Sequence, residues 1–112
     1  LKINYLNYEN DIEKLINIYD DHNVIILPSF TEAHPKVLDE SLARLRPVVI
    51  FEDIKHIVQD RQGIFVINRD IIALDNILKY IISNYSSIQS SMLLNKLPTR
   101  GDFIKQMKNA LI

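Results

Sequence analysis

The sequence predicts an α/β fold built on a parallel sheet of about four strands, and two observations carry that reading. Four short runs rich in Ile, Val and Phe recur along the chain, and VIIL, VVIF and IFVI among them are apolar on successive residues rather than alternating. Strands covered on both faces, as in parallel sheets flanked by helices, have that pattern. Between the runs, apolar residues recur at intervals of three and four, the spacing of one helix face. Regular alternation of strand and helix implies right-handed crossovers.

In chain order, the first strand is expected at Ile3 to Leu6. A helix follows over Asp11 to Tyr19, where Ile12, Leu15, Ile16 and Tyr19 fall on one side. The second strand is Val24 to Leu27, and the next helix Lys36 to Leu45, with Val37, Leu38, Leu42 and Leu45 sharing a face. Val48 to Phe51 gives the third strand. Gly63 is a turn residue leading into the fourth, Ile64 to Ile67. A helix over Ile71 to Ile82 places Ile71, Leu74, Leu78, Ile81 and Ile82 inward. After Tyr85 the chain turns serine-rich, and residues 86–112 are read as a helical tail that packs on the sheet or on a neighbouring domain. Thr99 and Asp102 form a capping pair there, before a last helix marked by Phe103, Met107, Ala110 and Leu111.

Composition narrows the function. The chain has 112 residues, 47% hydrophobic and 24% charged, the profile of one globular core. Thirteen basic against fourteen acidic residues leave a net charge of -1, with no cationic stripe for a phosphate backbone, so nucleic acid is not an expected partner. No apolar run approaches the length of a membrane span, and the start, LKINYLNYENDIEK, lacks the features of a signal peptide. A cytoplasmic location is expected. The lack of cysteine removes disulfides and thiolate chemistry, and suits a reducing compartment. The chain opens on Leu1 rather than methionine, which suggests a piece cut from a longer protein, although tag removal leaves the same start.

Chemistry-bearing motifs are few. His22, His34 and His56 fall on separate loops or helix ends without a ligand-spaced partner, so no metal site and no bound cofactor are expected. The acidic pair Asp20 and Asp21 invites comparison with a phosphate-accepting receiver domain. It follows a helix rather than a strand, however, and the strand VIILP ends in Pro28 where an acceptor aspartate would stand. No glycine-rich phosphate loop exists, because Gly63 and Gly101 are the only glycines.

One stretch remains, SFTEAHPKVLDE, directly after the carboxyl end of the second strand, where ligands bind in open α/β sheets. Pro35 suits the first turn of a helix. A helix starting there puts Glu40 about 7.5 Å further along its axis, with its side chain tilted back toward the start. Glu32 and Glu40 can then face one crevice, beside amide donors and a positive dipole end that favour a phosphate. A diphosphate flanked by hydroxyl-rich groups matches that arrangement. Equally, Glu32 can be an N-terminal dipole charge and Lys36 with Glu40 an exposed pair, and spacing alone favours this plainer reading.

The segment NVIILPSFTEAHPKVLDESLARLRPVVIF resembles the nucleotide-sugar-binding half of glycosyltransferases with the two-Rossmann-domain (GT-B) fold, in the bacterial family called glycosyl transferases group 1. That family's pattern runs D-V-x-V-L-P-S-x-x-E-G-x-P-x-V-L-x-E-A-M-A-x-G-x-P-V-V. Val24, Leu27, Pro28, Ser29, Glu32, Pro35, Val37, Leu38, Glu40, Ala43, Pro47, Val48 and Val49 match it. The resemblance extends more loosely over about residues 3 to 85.

It implies a Rossmann-like, three-layer α/β/α fold, of which residues 1–112 are a single partial domain. It implies a hexosyltransferase in full-length form, working in surface polysaccharide or lipopolysaccharide synthesis. By the same resemblance Glu40 binds the ribose of a nucleoside-diphosphate sugar, Glu32 with Ala33 and His34 meets the donor sugar, and Pro35, Lys36 and Val37 meet the phosphates. Asn7 and Tyr8 border the base. No metal is implied for binding, and the residue that carries catalysis is not among those matched. A glycan or lipid acceptor would be held mainly by an upstream domain, which also carries the family's phosphate-binding Arg and Lys. Peripheral contact with the inner face of the membrane is compatible with such a role, and an exposed sheet edge would let the fragment self-associate.

The departures are specific. Ala33 and Leu45 stand where the family has glycines, and EDIKHIV replaces its Gly-Gly loop, with His56 where a glutamate is common. Those lost glycines leave open a non-catalytic interaction module of the same fold, or a different α/β enzyme or regulatory domain.

Overall fold

A computed structural model of the chain describes Asn4, residues 11–28 and residues 36–95. The strand expected over Ile3 to Leu6, of which Asn4 alone is described, and the last helix with its capping pair lie outside the described residues. So do Asn7, Tyr8, Glu32, Ala33, His34 and Pro35.

The described chain is α/β. Three parallel strands, β1 (Ile25–Leu27), β2 (Val48–Phe51) and β3 (Ile64–Ile67), lie in the order β1-β2-β3. Ile25 is in register with Val48 and Val48 with Ile64, and the ladder begins with Ile25 donating to the Pro47 carbonyl and Val48 to that of Gly63. Only the central strand is buried along its whole length. β1 and β3 are half-buried, which corrects the expectation that each apolar run is covered on both faces. In the described sheet these two strands have a neighbour on one side only.

Helix α1 (Ile12–Asp20) starts at an Asp11 cap, whose carboxylate accepts from the amides of Glu13 and Lys14 and so satisfies two of the orphan donors of the first turn. Helix α2 (Lys36–Ala43) connects β1 to β2 and packs against both. It stops two residues short of the predicted Leu45. The Arg46 amide donates to the Ser41 carbonyl and that of Leu45 to Leu42, at 2.8 and 3.0 Å, with Leu45 in the left-handed region at φ 56°. This is a Schellman stop, a role usually taken by glycine.

A 3₁₀ segment, Glu52–Ile57, buries Ile54 and Ile57 beneath the loop between β2 and β3. Helix α3 (Ile71–Ser83), capped by Asp70, packs on β3 through Leu74, Leu78 and Ile81. Ile71 and Ile82, expected inward, are 82% and 56% exposed. Each residue turns the helix by about 100°, which puts Ile82 about 75° from the centre of the buried stripe. Ile71 opens the first turn on the same flank.

Helix α4 (Tyr85–Met92) runs across the amino ends of all three strands. The Tyr85 hydroxyl donates to the carbonyl of Asn23 before β1, and the Gln89 amide to that of Leu45 before β2. Just past α4, Asn95 exchanges two hydrogen bonds with Gln62 before β3. Buried Ile88 and Met92 complete the seal. The carboxyl ends of the strands carry no such helix among the described residues. No described helix is long and apolar enough to cross a membrane.

Candidate functional site

The residues that α2 places after β1 set the geometry. Lys36, itself exposed, opens the helix at a first turn whose amides have no acceptor within the helix and where the dipole is positive. Val37 is partly buried against the core, and its carbonyl accepts from the wholly buried Ser41 hydroxyl at 2.6 Å. Glu40 stands one turn below Lys36, about 6 Å along the axis.

Glu40 is half-buried between α1 and α2, and the Tyr19 hydroxyl donates to its Oε2 at 2.5 Å. Tyr19 is itself 2% exposed. The same junction is fastened lower down, where the Arg44 guanidinium grips the Asp20 carboxylate with two hydrogen bonds. Arg46 adds donations to the carbonyls of Tyr19 and Asp20 at 2.9 and 3.1 Å. Asp20, half of the acidic pair noticed in the sequence, therefore serves as a strut.

Burial pushes the Glu40 carboxyl above the usual carboxylate range. The donated Tyr19 hydrogen bond and the Lys36 charge oppose that rise, and the Asp39 charge adds to it. Asp39 is turned to the side, ion-paired at 2.7 Å with Arg61, whose other donors hold the carbonyls of Ile57 and Val58. Burial, then the accepting and charged Glu40, drive Tyr19 far above the ordinary phenol value, so it remains a donor throughout the physiological range. No buried polar side-chain atom lacks a partner among the described residues, and the partner of Glu40 Oε2 is the Tyr19 hydroxyl. A carboxylate held this way can accept a hydrogen bond from a hydroxyl group.

No family model matches the chain, and no curated protein or solved structure matches it either.

At the carboxyl ends of the strands, Arg69 ties three elements together. It donates to the Asp53 carboxylate at 2.9 Å and to the Pro28 carbonyl at 3.3 Å, and lies over the Phe51 ring at 4.4 Å. His22 is committed at the other side of α1. Its Nδ1 meets the Ile18 carbonyl at 2.6 Å and must carry the hydrogen, so Nε2 accepts from Asn4 at 2.9 Å. His56 is exposed on the 3₁₀ segment. Among the described residues no three His, Cys, Asp or Glu side chains gather as a metal site would need.

Of the predicted site residues, the structure therefore brings together Lys36, Val37 and Glu40. Sequence reasoning missed Tyr19, which it placed only on the apolar face of α1. A signal was present: a tyrosine among Ile and Leu carries a hydroxyl that needs a partner once buried.

Proposed function

We propose that the chain is the nucleotide-sugar-binding part of a glycosyltransferase of the two-Rossmann-domain kind, serving transfer of a hexose-type sugar to a glycan or lipid acceptor. One observation carries this reading: a half-buried carboxylate stands in the second turn of the helix after β1, with one oxygen held by the hydroxyl of a buried tyrosine. Burying that charge works against folding, so its presence needs a reason, and accepting from the ribose hydroxyls of a nucleotide supplies one. The ligand end of the sheet agrees, because α4 covers the amino ends of the strands and ligands of open α/β sheets sit at the carboxyl ends.

Leu45 supports the transferase over a degenerate module. It stands where the family has glycine, yet it keeps the left-handed backbone that glycine would serve, at φ 56°. Leu45 thus makes a left-handed return into β2 without glycine. In the full reading Glu32, Ala33 and His34 meet the donor sugar, the α2 amino end meets the diphosphate, and the acceptor sits on a domain outside this chain.

The test is titration of the full-length protein with UDP, GDP, ADP and CDP by calorimetry, with Glu40→Ala as the control. One of the diphosphates is expected to bind, and Glu40→Ala to weaken it by at least about tenfold, the loss of a charge-assisted hydrogen bond. Failure of all four to bind, or an unchanged affinity for Glu40→Ala, overturns the reading. The 112-residue chain alone is expected to transfer no sugar, and turnover by it counts against an acceptor site elsewhere.

A further inference from the structure

The contact between α1 and α2 contains one polar pair that packing does not require. Phenylalanine at position 19 would fill the same space, and glutamine at position 40 would accept from the same hydroxyl without a charge. Instead a tyrosine that is 2% exposed points its hydroxyl at a carboxylate on the next helix, 2.5 Å away. A glutamate has three side-chain torsions to restrict before it can hold a ligand, and ordering them opposes binding. A donor fixed in the core removes that freedom beforehand.

We propose that Tyr19 is the positioning residue for nucleotide binding: its hydroxyl fixes Oε2 of Glu40 so that Oε1 is presented, already oriented, to a ribose hydroxyl. This rests on the reading that Glu40 meets the ribose. Tyr19 touches no ligand and acts through Glu40. The groups that face Glu40 are few. From α1 there is Tyr19. From α2 there are Lys36, whose charge favours the carboxylate, and Asp39, whose charge disfavours it and is itself paired to Arg61 after the 3₁₀ segment. Because the Tyr19 donation favours the ionised form, its removal makes Glu40 hold its proton to higher pH.

The experiment uses the full-length protein and whichever of UDP, GDP, ADP and CDP binds it, with affinities measured between pH 5 and 8 for wild type, Tyr19→Phe, Glu40→Ala and the double variant. Tyr19→Phe is expected to weaken binding by about three- to tenfold, the worth of one hydrogen bond. It is also expected to move the acid limb of the affinity profile to higher pH, and to have no effect in the Glu40→Ala background. A purely structural tyrosine moves neither the acid limb nor the double-variant comparison in that way. An unchanged acid limb, or a Tyr19→Phe loss that persists without Glu40, overturns the positioning role while leaving the nucleotide site standing. Wild-type affinity in Glu40→Ala, or no binding by any of the four, overturns both. If Tyr19→Phe does not fold, Glu40→Gln reports instead: it keeps the acceptor and so is expected to retain more affinity than Glu40→Ala, and equal losses overturn the role.

Discussion

Glu40 shows how one residue sets stability against use. Its carboxyl lies above the usual range because it is buried, so the folded chain binds that proton more tightly than the unfolded chain does. The stability linked to it is fully present below the unfolded pKa and is lost as pH rises through the folded one. At neutral pH the ionised side chain therefore disfavours the fold. Glu40→Gln removes the charge and keeps an acceptor for Tyr19, so its urea midpoint at pH 7 is expected to exceed that of wild type. The gain is less than about 1 kcal/mol, as suits a partly solvated charge, and shrinks as pH falls toward about 4.3, the ordinary glutamate value. An equal or lower midpoint for Glu40→Gln at neutral pH would contradict the assignment of burial as the main cause. A carboxylate that costs stability at working pH is the kind of local inconsistency expected at a functional position.

At the scale of elements, the end of α2 is the point where local pattern and actual structure part. Leu45 continues the apolar face of the helix in the sequence, yet the helix stops at Ala43 and Leu45 turns left-handed. Nothing in its residue type announces a stop, because glycine or asparagine usually signals one. A left-handed leucine costs about 1–2 kcal/mol, and its half-buried side chain, packed on the core, offsets that. Leu45→Gly is thus expected to change the unfolding free energy by no more than about 1 kcal/mol. By contrast Leu42→Ala, at a position with no exposure, is expected to lose about 2–5 kcal/mol. A loss for Leu45→Gly as large as that for Leu42→Ala would mean the turn is unstrained and the side chain alone matters. Strands β2 and β3 were legible to the residue, because runs of Val, Ile and Phe between turn residues have few other uses. The Tyr19 to Glu40 contact and the Asp39 to Arg61 pair were not, since each joins residues some twenty positions apart and leaves no trace in local spacing.

For the molecule as a whole, the arrangement separates what holds the sheet from what the sheet presents. α4 and Asn95 fasten the amino ends of β1, β2 and β3, while α2 and Arg69 shape the carboxyl ends. Gly63 is the tightest point of the first set. It lies at φ 92°, and a Cβ there would come within 2.5 to 2.8 Å of the Met92 side chain. Gly63→Ala therefore combines a backbone conformation disfavoured for alanine with a clash that the buried Met92 side chain must move to relieve, and is expected to destabilise by about 1–3 kcal/mol. Part of that loss is the clash, so it should shrink when Met92→Ala has already made room, although Met92→Ala alone is destabilising. Below the unfolding midpoint, the nucleotide binding proposed above should be the same in Gly63→Ala as in wild type, because the clash falls on Met92 of α4 whereas Glu40 is held by Tyr19 of α1. Urea denaturation of the four-member cycle and calorimetric titration of the single variant measure the two effects separately. If Gly63→Ala weakens the proposed nucleotide binding while the protein is fully folded, the Gly63–Met92 contact is coupled to Glu40 and the separation fails.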